Sequence, residues 1–234
     1  MLHIKVPATS ANMGPGFDCA GIALQLYNEI WVETIPSGIE ISSKTNENIP
    51  KDESNLIYST IRDFYEAENI PMPGIRLIQD DHIPMTRGLG SSAACIVGGL
   101  IAANILSGKN YSKEELAQKA AKLEGHPDNS NPAIFGDMII SAMYSEGMKY
   151  VKLNVPKNIL FAVMIPEFTL STKKARAVLP DSYTRSQSIF NSSRTGLMVA
   201  SMMTGNLDNL RVAMDDAIHQ PYRKSLIRNY DEVF

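Results

Sequence analysis

The sequence predicts a mixed α+β fold, and three observations support it. Stretches of strand periodicity, such as "GIALQLYNEIWVETI", recur between stretches of helical spacing, such as 55–69. The composition is 44% hydrophobic and 20% charged over 234 residues, enough for a sizeable core and one or two domains. No internal repeat or low-complexity segment interrupts the alternation, and the best candidate boundary lies near Lys152–Lys157.

The elements follow in chain order. "LHIKVPATSAN" begins as a short strand and is expected to become a loop at Pro7. "GIALQLYNEIWVETI" alternates apolar and polar, with Asn28-Glu29 as a possible interruption, and "GIEISS" is another strand. Ile57, Ile61, Phe64 and Tyr65 share one helical face inside Asn55–Asn69, with Asp52-Glu53-Ser54 as capping candidates. "IRLIQDDHIP" returns to strand, and Ser91–Leu106 is a helix buried on most sides. "YSKEELAQKAAKLEG" carries a capping box, Ser112 with Glu115, and ends at Gly125. "NILFAVMIP" is expected as a buried strand. Two helices follow, Ser186–Met203 and Leu207–Ile218, the second ended by Pro221.

Several function classes are disfavoured. A net charge of −3 with no basic tract argues against nucleic-acid binding by bulk electrostatics. Cys19 and Cys95 lie far apart without a CxxC pattern, which suggests a reducing compartment. The start, "MLHIKVPATS", lacks the pattern of a signal peptide, and Ala93–Leu106 is too short and mixed for a membrane span. A cytoplasmic protein is expected.

The chemistry concentrates in three places. "RGLGSSAA" sets Gly88, Gly90, Ser91 and Ser92 at the mouth of the alanine-rich helix. Glycines there let several N–H groups converge where the helix dipole is positive, which suits a phosphate. The pattern is not the Walker loop, and a helix cap with close backbone packing would use the same residues. "SANMGPGFD" offers Asn12 and Asp18 around a Gly-Pro-Gly bend, as ligands or simply as a turn. "EGHPDN" holds Glu124, His126, Asp128 and Asn129; a metal on His126 and Asp128 would lack a second histidine nearby, and a helix end followed by an Asp-Asn turn is the plainer alternative.

Taken in order, "VPATSANMGPGFDCAG", "PMTRGLGSSAA", "EGHPDNSNPAIFG", "STKKAR" and "HQPYRKSLI" resemble the motifs of the GHMP kinases in their homoserine-kinase form, over nearly the whole chain. The resemblance implies a ribosomal-S5-like α/β domain over 1–153 and a ferredoxin-like α+β domain over 154–234, with the active site between them. It implies ATP and Mg²⁺ as cofactors, L-homoserine as the small-molecule substrate and a homodimer. The nucleotide would lie on Pro84, Arg87, Gly88, Leu89, Gly90, Ser91, Ser92, Ala93 and Ala94. Ser92 and Glu124 would hold Mg²⁺. Asn12, Asp18, His126, Asn129, Thr172, Arg176 and Arg223 would bind homoserine: Asp18 its ammonium, the two arginines its carboxylate, Asn12 and Asn129 its hydroxyl end. Asn12, Asn129 and Glu124 are thus the implied catalytic set. Asn cannot take a proton at neutral pH, so catalysis would rest on positioning the hydroxyl in line with the γ-phosphate, with Asp18 the alternative base.

The chain departs from the family pattern in two places. Asn129-Ser130-Asn131-Pro132-Ala133 and Phe135-Gly136-Asp137 stand where NVAPA and FGG are usual. No Gly-rich motif like GAGPS or GAGPT follows Arg223, so the second domain is expected to be incomplete and to leave an exposed sheet edge. Two functional classes stay open at this point: a small-molecule kinase, for homoserine or another small alcohol, and a catalytically weak binding protein of the same fold.

Overall fold

The computed structural model describes residues 1–233. Six strands form one sheet, ordered β3-β4-β2-β5-β6, with β1 on β2. They are β1 (Leu2–Ala11), β2 (Ala20–Ile35), β3 (Ile39–Ser43), β4 (Gly74–Asp80), β5 (Met138–Tyr144) and β6 (Gly147–Leu153). All neighbours are antiparallel except β3 and β4, which run parallel because α1 (Leu56–Ala67) lies in the chain between them. β5 and β6 form a hairpin closed by Ser145-Glu146.

β2 organises the molecule. Its far half places Ile30 and Val32 in the main core, with Ile4, Val6, Ile75 and Leu77 from the sheet and Ile57, Ile61 and Phe64 from α1. Its near half places Ala20 and Ile22 in a second core, with Met138, Leu153, Met198, Met202 and Ala213. Asn28 does not interrupt the strand. It is buried, but its Oδ1 accepts from the N–H groups of His82 and Ile83 at 2.9 and 2.8 Å, and its Nδ2 donates to Asp81. The chain leaving β4 is thereby fastened to the sheet.

The alanine-rich run is helix α2 (Ser91–Ser107), and its composition reflects two close approaches. A Cβ at Gly98 would lie 2.2 Å from Ile30 Cδ1 in the sheet, and one at Gly99 would lie 2.8 Å from Thr60 Cβ in α1. Larger side chains would separate the layers. Helix α3 (Lys113–Glu124) has the expected capping box and ends at Gly125; a short α4 (Ser130–Phe135) follows.

Other expectations are corrected. β1 does not stop at Pro7 but runs on to Ala11, with a register shift between Pro7 and Thr9. Proline is tolerated because, among the described residues, β1 has only β2 as a partner. The cap of α1 is Asn55, whose side chain accepts from the N–H groups of Ile57 and Tyr58, rather than Asp52, Glu53 or Ser54. "NILFAVMIP" is neither a strand nor buried: Leu160 is 95% exposed and Val163, Met164 and Ile165 are also open. A strand exists only as a ladder, and no described residue pairs with this segment. Residues 154–233 contribute no strand at all. They form α5 (Thr172–Ala177), α6 (Arg185–Thr204) and shorter helices. The helix expected over Leu207–Ile218 shrinks to α7 (Leu210–Ala213), because the Asp216 carboxylate captures the N–H groups of Ile218, His219 and Gln220. Pro221 does not end that helix; it lies in the first turn of the next, α8 (Gln220–Arg223), where its missing N–H costs nothing.

Among the described residues no helix is long and apolar enough to cross a membrane.

Candidate active site

The loop between β4 and α2 reaches the helix through backbone at positive φ, at Thr86 (55°), Gly88 (73°) and Gly90 (67°). Among the described residues no side chain caps α2. The first amide bonded along the helix is that of Ala94, to Gly90 O at 2.9 Å, so the N–H groups of Ser91, Ser92 and Ala93 have no helical partner. Leu89, Ala93 and Ala94 bury their side chains and can offer only backbone to a ligand; Pro84 is half-buried, while Gly88 and Ser92 are exposed. Arg87 donates to the Pro166 carbonyl, and Leu170 N–H donates to Thr86 O at 3.0 Å, so the loop is tied to the chain beyond β6.

The register shift in β1 positions Thr9 against this loop. Its N–H donates to Leu89 O at 3.1 Å, outside the ladder, and its hydroxyl donates to Asn129 Oδ1 at 2.9 Å. A Cβ at Gly90 would lie 2.1 Å from Thr9 Oγ1 and 3.0 Å from Asn129 Oδ1. Gly90, Thr9 and Asn129 therefore meet at one point. Asn129, which starts α4, uses its amide oxygen in that bond and keeps its NH₂ group for another partner.

Glu124, the last residue of α3, lies near Ser92 in the first turn of α2, close enough for its carboxyl to feel the hydroxyl. Burial holds the Glu124 carboxyl above the usual carboxylate range, against the opposing pull of His126 and the Ser92 hydroxyl. His126 Nδ1 lies 2.6 Å from Asp128 Oδ1, and that carboxylate raises the imidazole above its ordinary value despite burial. Asp128 is 1% exposed, and its Oδ2 has no hydrogen-bond partner among the described residues. No group of three or more His, Cys, Asp or Glu side chains suited to a metal occurs among the described residues.

The loop between β1 and β2 supplies the third part. Asn12 and Asp18 both have positive φ, and Asn12 Oδ1 accepts from Asp18 N–H at 3.0 Å. The Asp18 carboxylate accepts from both terminal guanidinium nitrogens of Arg176, at 3.0 and 2.5 Å, which lifts Arg176 above its ordinary value. Arg223 donates to Ala175 O at 3.1 Å and is lowered by burial and then by Arg176, so the two guanidinium groups are neighbours. Thr172 lies exposed at the start of α5, one turn before Arg176. The loop is held from behind: Asn191 of α6 donates to Pro15 O at 3.2 Å and to Asp216, and the buried His219 shares a 2.8 Å hydrogen bond with Gly14 O.

These parts form one electrostatic neighbourhood, since Asp128 and Arg176 act on His126 and Asp128 acts on both arginines. Sequence reasoning missed Thr9 and His219, and it weighed Asp128 only as a metal ligand. Asp128 could have been weighed as the orienting partner of His126, two residues away; Thr9 gave no signal beyond a polar residue in a strand.

Residues 55–137 match the GHMP kinases N terminal domain. Over its whole length the chain is 46% identical to a homoserine kinase of Caldicellulosiruptor saccharolyticus, covering 76% of that protein. It is 48% identical to a homoserine kinase of Clostridium novyi, again with the whole chain aligned and 79% of that protein covered. The crystal structure of a homoserine kinase from Cytophaga hutchinsonii superposes with a TM-score of 0.83 at 30% identity, over 99% of this chain and 77% of the other. With its sequence aligned from end to end and its fold superposed on theirs, the chain belongs to the homoserine kinases of the GHMP kinase family.

Proposed function

We propose that the protein transfers the γ-phosphoryl group of ATP to the hydroxyl of L-homoserine, giving O-phospho-L-homoserine. Besides the family relationship, the observation that carries this is the meeting of Gly90, Thr9 and Asn129. A phosphate loop and a group able to hold an alcohol are there in direct contact, as a transfer between two bound substrates requires.

Each residue then has a task. The amides of the first turn of α2, which have no partner within the helix, offer hydrogen bonds to phosphate oxygens, and Gly88 and Gly90 let the backbone approach them. The NH₂ group of Asn129 orients the hydroxyl, helped by Asn12 as the family resemblance implies. Asp18 takes the ammonium, and Arg176 and Arg223 take the carboxylate. Asp18 and Arg176 neutralise one another in the free protein; a zwitterion replaces that single ion pair by two, so no buried charge is stranded. An Asp18 occupied in this way is a poor base, and positioning by the two asparagines suits a loose transition state that demands little proton transfer.

Mg²⁺ fits Glu124 and Ser92. They lie near each other at the mouth of α2, and a carboxylate penalised by burial gains from a cation. Bound there, the ion would neutralise charge on phosphate oxygens. We assign 1–153 to the nucleotide-binding domain and 154–234 to a second domain, a division supported by the last strand ending at Leu153. The family resemblance extends the proposal to a cytoplasmic homodimer, which sedimentation equilibrium would check.

The deciding experiment compares alcohols as phosphoryl acceptors. Homoserine should be phosphorylated with a higher kcat/KM than serine, threonine, mevalonate or a hexose. Faster turnover of mevalonate or a sugar would refute the substrate assignment and leave the kinase assignment standing.

A further inference from the structure

Phe17 has no place in the scheme above, yet three functional side chains converge on its ring. The Arg176 guanidinium carbon lies 5.3 Å from the ring centroid and that of Arg223 lies 5.0 Å from it. The His219 imidazole stacks at 5.3 Å with the planes 27° apart. Phe17 is half-buried in the bend between Asn12 and Asp18, which the bond from Asn191 to Pro15 and that between His219 and Gly14 keep in place.

Two neighbouring guanidinium groups repel, and Arg223 feels Arg176 as a destabilising charge. Asp18 compensates only one of them directly, because its two oxygens are both taken by Arg176. Besides the longer-range pull of Asp18, Asp128 and Asp216, Arg223 has the Ala175 carbonyl, a long 3.5 Å approach to His219 Nδ1, and the ring. The face of a benzene ring is electronegative, and a cation within about 6 Å of its centre is attracted to it.

We propose that Phe17 is a positioning residue for substrate binding, holding the Arg176 and Arg223 guanidinium groups side by side by cation–π attraction so that they form a two-pronged carboxylate clamp. This rests on the assignment of the two arginines to the homoserine carboxylate. It adds that the clamp is organised by an aromatic face and not by their ion pairs alone. The function of the ring is electrostatic, so a residue of similar bulk without a π face does not replace it.

The test measures homoserine and ATP binding by isothermal titration, with a thermal melt of each variant. Two contacts of this kind, each worth roughly a factor of 2 to 5 at a partly exposed site, predict that Phe17→Leu weakens homoserine about 4- to 25-fold. ATP affinity should stay within about twofold, and Phe17→Tyr, which keeps the face, should restore homoserine binding. Should the Phe17→Leu protein fail to fold, para-fluoro- and then 3,5-difluorophenylalanine at position 17 drain the ring face with almost no change of shape; homoserine affinity should fall stepwise while the melting temperature holds. A Phe17→Leu protein that binds homoserine like wild type, fluorinated proteins indistinguishable from wild type, or equal losses for homoserine and ATP would overturn the proposal. Arg176→Ala and Arg223→Ala separate it from its premise. If these bind homoserine normally the carboxylate assignment fails, whereas if they lose it and Phe17→Leu does not, only the role of Phe17 fails.

Discussion

Replacing Thr9 by valine removes one atom's chemistry at the junction of the two substrate pockets. Thr9 is 0% exposed, and its hydroxyl is the donor to Asn129 Oδ1 at 2.9 Å. Valine puts a methyl group of similar size there and leaves that oxygen without its donor. An acceptor so orphaned costs about 1–3 kcal/mol. Asn129 is only half-buried, and water can recover part of the loss, so the lower end applies, about 1–1.5 kcal/mol. If the bond fixes the amide for catalysis, kcat/KM for homoserine falls about 5- to 13-fold, since each 1.36 kcal/mol is a factor of ten. Steady-state kinetics with homoserine varied at saturating ATP would measure this, with the KM for ATP as control. Thr9→Ser keeps the hydroxyl and should recover most of the activity. A valine variant within twofold of wild type, or a serine variant as impaired as the valine one, would refute the assignment of Asn129's orientation to Thr9.

Gly90→Ala puts a Cβ into Thr9 Oγ1 at a φ of +67°, so it should lower both the melting temperature and ATP affinity; a folded variant that binds a fluorescent ATP analogue normally would argue against the cradle. Glu124→Gln should raise the Mg²⁺ concentration for half-maximal activity by at least the roughly 10-fold typical of weaker, outer-shell changes, with little change in homoserine KM, and an unshifted Mg²⁺ dependence would remove Glu124 from the metal site. Acid should loosen the C-terminal anchor. Burial depresses the His219 pKa below its ordinary 6.5, so on acidification the unfolded chain takes up the proton first, and stability is lost as pH falls from about 6.5 through the lower folded value. The carboxylate of Asp216 adds to this at lower pH: burial opposes its charge, but Asn191 and the amides of Gln220 and His219 outweigh that and hold it below the usual range. Melts between pH 7 and pH 5 should show the loss, and His219→Gln should flatten it; superimposable curves for the two proteins would rule His219 out as the cause.

Local rules made much of the N-terminal half legible. Ile57, Ile61 and Phe64 announce α1 by spacing alone, and Ser112 with Glu115 closes the capping box that starts α3. What failed depends on distant partners. The apolar run 158–166 has the composition of a strand, but pairing is decided elsewhere in the chain, and no described residue supplies it. β5 and β6 were not anticipated, because they become strands by pairing with each other and with residues 20–22. In the site, the motif resemblance pointed to Asn12, Asp18, Glu124, His126, Asn129, Arg176 and Arg223, which the fold brings into one neighbourhood. It could not show that Asp18 and Arg176 bond each other, or that Thr9 bridges loop and pocket, since those contacts span 158 and 120 residues.

The span of β2 across both cores bears on where the gene can tolerate changes of length. Side chains alternate along a strand, so deleting one codon between Ile22 and Ile30 would turn one set of core residues outward relative to the other. No local rearrangement could repair both packings together, and β1, β4 and β5, all paired to β2, would lose their alignment as well. The Ser145-Glu146 turn is the opposite case, because added residues there only enlarge a loop joining two strands already paired with each other. A library of single-codon insertions and deletions should therefore be depleted across residues 22–30 and enriched at the hairpin, even though neither segment includes a residue assigned to substrate.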